Sequence, residues 1–65
     1  MRVIINGQTL ETTAQVVKDL IREHAGDEAR VAVVLNDRVV PMAEHTVAQL
    51  SDGDRVELLT FAGGG

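Results

Sequence analysis

Two turn signals, Asn6-Gly7 and Asn36-Asp37, each lie between short runs rich in Val, Ile and Thr, and one amphipathic stretch separates them. That arrangement constrains the fold more than any other feature. Asn-Gly suits a two-residue hairpin because both central positions need positive φ. Residues 1–5 therefore read as a strand, and Gln8 to Glu11 as its short partner. Thr12-Thr13-Ala14-Gln15 fits a capping box, with Thr12 at the N-cap and Gln15 at N3. A helix is expected from about Ala14 to His24, with Val16, Val17, Leu20 and Ile21 forming one apolar stripe. Gly26 is placed to stop it.

Val31 to Leu35 is a compact β-branched run, read as a largely buried strand. Asn36-Asp37 turns it into Arg38-Val39-Val40, which ends at Pro41 for want of a ladder donor. Met42 to Leu50 is less regular and reads as a short helical turn anchored by Val47 and Leu50. Ser51 to Asp54 is a turn, and Arg55 to Phe61 the last strand. Two hairpins with a helix between them imply a mixed sheet over that helix, with the last strand lying centrally beside the first.

The chain has 65 residues, which is room for one small domain with a modest core. A conventional walled enzyme pocket is not expected at this size. Ten acidic against six basic residues give a formal net charge of −4, which disfavours nucleic acid and anionic membranes as partners. No apolar run is long enough for a transmembrane helix, and the N-terminus is too short in its apolar part for a secretory signal. There is no cysteine, so disulfides, thiolate metal sites and a thiol nucleophile are excluded. That fits a reducing compartment, and a cytoplasmic location is expected.

Polar candidates for catalysis are sparse. His24 and His45 share no motif with each other or with a carboxylate, and His24 suits a helix C-terminus. Asp52 and Asp54 flank Gly53, but the other ligand positions of a calcium loop are missing, so they read as turn formers. No catalytic residue and no metal site is assigned.

Strand parity is more informative. Val56, Leu58 and Thr60 share one face of the last strand; Glu57, Leu59 and Phe61 share the other. With Val56 and Leu58 facing the helix, Leu59 and Phe61 lie on the uncovered face. Ile4 joins them if Met1, Val3 and Ile5 point inward. An apolar patch of this kind marks a docking surface. The alternative is inverted parity or a bulge that hides Phe61.

The last strand runs into Ala62-Gly63-Gly64-Gly65. Without Cβ atoms, three glycines resist ordering and pass through channels too narrow for other sequences. At the extended limit, Ala62 to Gly65 reach roughly 13–14 Å. The chain thus divides into a folded domain, residues 1–61, and a glycine-rich tail, residues 62–65, which offers the Gly65 carboxylate as a tethered group. The opposing reading is an inert end.

Taken in order, the Asn6-Gly7 hairpin, Leu35-Asn36-Asp37-Arg38-Val39-Val40-Pro41, Asp52-Gly53-Asp54-Arg55-Val56-Glu57 and the final Phe61-Ala62-Gly63-Gly64-Gly65 resemble the thiamine-biosynthesis sulfur carriers of the ThiS type, which belong to the ubiquitin-like β-grasp family. The resemblance spans nearly the whole chain. It implies an α+β β-grasp fold, with a mixed sheet of four to five strands wrapped over one main helix. Gly64-Gly65 matches the functional motif, with Gly63 as an extension of it.

The resemblance also implies a chemistry. An E1-like (ThiF-like) adenylyltransferase would use ATP to convert the Gly65 carboxylate into an acyl-adenylate. A sulfur donor, such as a cysteine desulfurase persulfide, would then leave a thiocarboxylate on Gly65 for delivery to a thiazole synthase (ThiG-like). The chain itself would be no enzyme and hold no cofactor, ATP belonging to the partner. In this scheme Gly63 and Gly64 let the tail thread, and Ile4, Leu59 and Phe61 dock. The small subunit of molybdopterin synthase shares the fold and tail, but its tails commonly carry prolines that are absent here. Another sulfur carrier, a ubiquitin-like protein modifier joined through Gly65 to lysine, and a plain interaction module remain as alternatives.

Overall fold

A computed structural model of the chain describes residues 1–26 and 30–60. Its elements are β1 (Arg2–Ile5), β2 (Gln8–Glu11), α1 (Val17–Ala25), β3 (Val31–Leu35), β4 (Arg38–Val40), a 3-10 turn at Met42–Glu44, and β5 (Arg55–Thr60). The strands form one mixed sheet in the order β2-β1-β5-β3-β4. β5 is central, parallel to β1 and antiparallel to β3. This is the mixed sheet with a central last strand read from the sequence, and the β-grasp arrangement that the resemblance implies.

Both hairpins turn as expected. Asn6 and Gly7 have φ of 49° and 84°, and Asn36 and Asp37 have φ of 50° and 70°. These left-handed values twist each two-residue turn in the sense that its flanking strands require.

Val3, Ile5, Val56, Leu58, Val31, Val33 and Val40 point from the sheet into one core, where they meet Val17, Leu20 and Ile21 of α1. Burying each large side chain contributes about 1.5–3 kcal/mol against the conformational entropy of folding. Met1 does not join them; it is 38% exposed at the start of β1. The run Val31 to Leu35 is less buried than its composition suggests. Val31 and Val33 are covered by α1, while Ala32 and Val34 alternate onto the other face and are half-buried.

The helix starts later than its capping box suggests. Its N-cap is Val16, in extended conformation with no side-chain cap. The reason is tertiary. Val16 pairs with Gln49 in an isolated bridge, and the Leu50 N–H donates to the Gln15 carbonyl at 2.9 Å. The first free amides of the helix, Val17 and Lys18, donate to the carbonyls of Ala48 and His45 at 3.0 and 2.7 Å. Neighbouring backbone thus supplies the acceptors that a capping side chain would otherwise give. Gly26 ends the helix as expected, with φ 98° and its N–H on the Ile21 carbonyl.

Within residues 42–50 the expected helical turn is present, but its anchors differ. Leu50 is buried, whereas Val47 is 65% exposed. His45 takes the inner place, and its Nε2 donates to the Val40 carbonyl at 3.1 Å. Packing this segment against β4 and the start of α1 turns Val47 outward.

The candidate docking face and the end of the central strand

The face of the sheet opposite α1 carries the residues that strand parity singles out. Val56 and Leu58 are buried, so Leu59 lies outward and is 55% exposed. Val3 and Ile5 are buried in the same way, and Ile4 is half-buried on the outer face. Register shows what surrounds them. Ile4 stands between Thr9 on β2 and Arg55 on β5. Leu59 stands beside Ala32, and Glu57 beside Val34, which itself pairs with Val39.

Ile4 and Leu59 therefore share a face without touching. Leu59 lies four residues along β5 from Arg55, the neighbour of Ile4, a separation of roughly 13 Å along the strand. Between them run Arg55 and Glu57. Arg55 is held by Asp37 of the turn between β3 and β4, Nη2 to Oδ2 at 3.0 Å, though both side chains are well exposed and the pair adds little stability. Around Ile4 the face dips into a shallow depression walled by Gly7, Val34, Asp37, Arg55 and Glu57.

Parity alone did not find two members of this face. Val34 and Val39 join Leu59, and Val39 is 75% exposed. The signal was the Asn36-Asp37 turn, which fixes the hairpin register and puts Val34 opposite Val39 on one side.

Phe61, Gly63, Gly64 and Gly65 lie outside the described residues, as does the division between residues 61 and 62. β5 leads toward them as far as Thr60. On the β3 side, β5 remains in register as far as Thr60, which pairs with Val31. On the β1 side the ladder passes from backbone to side chain. The Ile4 N–H donates to the Asp54 carbonyl and the Asn6 N–H to the Val56 carbonyl, at 2.8 and 2.9 Å. The Asn6 carboxamide then takes both groups of Leu58: Oδ1 accepts its N–H at 2.9 Å and Nδ2 donates to its carbonyl at 3.2 Å.

Other polar side chains serve the frame. The Asp52 and Asp54 carboxylates accept the N–H groups of Arg2 and Ser51, at 2.8 and 2.7 Å. His24 lies 3.8 Å from Glu23 near the end of α1. Among the described residues no three His, Asp or Glu side chains gather as a metal site, and no helix is long and apolar enough to cross a membrane.

The family model described as the ThiS family matches residues 3–65. A crystal structure of the thiamine biosynthesis protein ThiS from Geobacter metallireducens superposes with a TM-score of 0.78, at 31% identity, with all of both chains covered. A thiazole synthase of Paramagnetospirillum magneticum is 35% identical over 66 residues, a match that takes in the whole chain but one-fifth of that protein's length.

Proposed function

The chain belongs to the ThiS family, and from that premise we propose that it is a sulfur carrier for thiamine biosynthesis, charged at the Gly65 carboxylate. The observation that carries this reading is the family match running through residue 65, so that it includes Gly63-Gly64-Gly65.

A carboxylate is a poor acyl donor, and activation gives it a leaving group. The Gly65 carboxylate oxygen attacks the α-phosphorus of ATP in an E1-like adenylyltransferase, and pyrophosphate departs. A persulfide sulfur from a donor such as a cysteine desulfurase then attacks the acyl carbon, and AMP leaves. Thiol reduction of the resulting acyl disulfide releases the thiocarboxylate. In this scheme the partners hold the catalytic groups. The folded domain docks through the outer sheet face, with Leu59, Phe61 and Ile4 as contacts, and Gly63 and Gly64 admit the tail to the partner's site.

Thiazole formation is favoured over molybdopterin as the destination of the sulfur. The match to part of a protein named thiazole synthase supports a ThiG-like acceptor.

The test is intact-mass spectrometry of the purified chain before and after incubation with ATP, a ThiF-type enzyme and a persulfide donor. Exchange of oxygen for sulfur is nearly isobaric with oxidation of Met1 or Met42, so the shift must be placed at Gly65 by fragmentation and captured by thiol alkylation. An alkylatable terminal sulfur is expected. High-mass conjugates through Gly65 instead would mean a protein modifier.

A further inference from the structure

We propose that Asn6 is a positioning residue for the charging of the tail, acting by fixing the end of β5 from which the tail departs. The inference rests on the reading of Gly65 as the group that is activated. Its basis is the way the β1 side of β5 is completed.

β1 supplies backbone partners to Asp54 and Val56 and then stops, because the chain reverses at Asn6-Gly7 and returns as β2 on the far side of β1. Leu58 would be left with an unpaired N–H and C=O on that side. The Asn6 carboxamide presents one acceptor and one donor in the geometry of a peptide group and satisfies both. Among the described residues it is the tether nearest the tail that β5 receives on its β1 side. Beyond it come Leu59, Thr60 and then Phe61.

Turn geometry favours asparagine or glycine at this position and does not by itself require the carboxamide. Asn6 has φ 49°, a conformation that glycine adopts at least as readily. What glycine cannot supply is the carboxamide. From Leu58 to Gly65 the chain can reach roughly 23–25 Å, so a loosened strand end spreads the carboxylate over a much larger volume while the sheet face stays docked. A reacting group displaced by about an ångström can lose 100-fold in rate.

The same fold contains a matched control. Asn36 opens the other hairpin with φ 50°. Its Oδ1 accepts the Arg55 N–H and its Nδ2 donates to Asp54 Oδ1, both at 2.9 Å. It therefore clamps the start of β5, at the opposite end from the tail. Asn6→Gly and Asn36→Gly each keep a turn that allows positive φ and each remove one carboxamide from the central strand.

The experiment measures pyrophosphate release with ATP and a ThiF-type enzyme for the full chain and both variants, at a temperature where all are folded. Amide hydrogen exchange is read in parallel at Leu58, Leu59 and Thr60. Asn6→Gly is expected to lower kcat/KM by about 10- to 100-fold and to speed exchange at those amides, while Asn36→Gly stays within about twofold of wild type. Should Asn6→Gly not fold, Asn6→Asp keeps an acceptor for the Leu58 N–H, loses the donor, and is expected to fall between. Charging of Asn6→Gly at the wild-type rate overturns the inference and leaves the sulfur-carrier reading intact. So do equal losses in both glycine variants, which would report stability alone. A wild-type chain that is not adenylated at all overturns the sulfur-carrier reading and this inference with it.

Discussion

The Thr12 hydroxyl donates to Glu23 Oε1 at 2.6 Å, joining the end of β2 to the last turn of α1, and its oxygen accepts the Ala14 N–H at 3.0 Å. One buried side chain thus holds the crossover from the first hairpin into the helix. Thr12→Val preserves the shape and leaves the Ala14 N–H and the Glu23 carboxylate without this partner. The expected cost is about 1–3 kcal/mol, which in a domain this small lowers Tm by roughly 4–8 °C per kcal/mol. Thermal unfolding checks it. Glu23→Gln keeps an acceptor for the hydroxyl and is expected to cost less; the reverse order would mean that the carboxylate matters for another reason.

Much of the fold is legible in the chain because its signals are local. Asn6-Gly7 and Asn36-Asp37 specify their turns, and the alternation of Val56, Glu57, Leu58 and Leu59 specifies which face is covered. The failures share a cause. Thr12 and Gln15 look like a capping box, but the helix begins after Val16 because Gln15 and Val16 are drawn into pairing with Leu50 and Gln49. Nothing near residue 15 announces a partner so far along the chain. Val47 was expected inside and His45 was not, since the segment around the 3-10 turn has no period to read. The outer face proposed for docking is half legible: parity gives Ile4 and Leu59, but their separation and the addition of Val34 and Val39 depend on register. The role of the Asn6 side chain is further out of reach, because its partner Leu58 lies 52 positions away.

Gly53 offers a test of backbone cost alone. Its φ is 87°, and a Cβ built on it would meet nothing within 4 Å. Its N–H donates to the Arg2 carbonyl at 2.7 Å, tying the turn before β5 to β1. Gly53→Ala should therefore destabilise by about 1–2 kcal/mol through the left-handed conformation and nothing else. Gly53→Asn should cost less, since asparagine tolerates that region, as Asn6 and Asn36 do here. Urea midpoints of the three proteins decide it. Equal costs for alanine and asparagine would point to a steric or solvation term.

Leu59 separates docking from stability. With more than half its surface exposed, Leu59→Ala should change unfolding free energy by no more than about 0.5 kcal/mol. If it anchors the adenylating partner, the same change should raise KM by roughly 5- to 30-fold, corresponding to about 1–2 kcal/mol of contact. Val39→Ala asks whether the interface extends to the edge strand, because Val39 is the more exposed residue of the two. An effect at Leu59 with none at Val39 confines docking to the β1–β5 side of the face. Unchanged KM in both variants would remove the outer face from the docking scheme.

The glycines themselves are tested by adding single atoms. Gly64→Ala retains the terminal carboxylate of Gly65 and places one methyl group next to it. If the tail must pass through a channel shaped for bare backbone, the adenylation rate should fall by about 10- to 100-fold, since small displacements at a reacting carboxylate are costly. Appending one residue after Gly65 keeps every glycine but moves the carboxylate by roughly 3.3–3.6 Å, about one residue's reach, and should abolish charging. Both are read by pyrophosphate release and by alkylation of the terminal sulfur, with unfolding curves to confirm that the domain is intact. Loss in the extended chain but not in Gly64→Ala would mean that carboxylate position is selected and width is not. Normal charging of the extended chain would remove Gly65 as the site of activation.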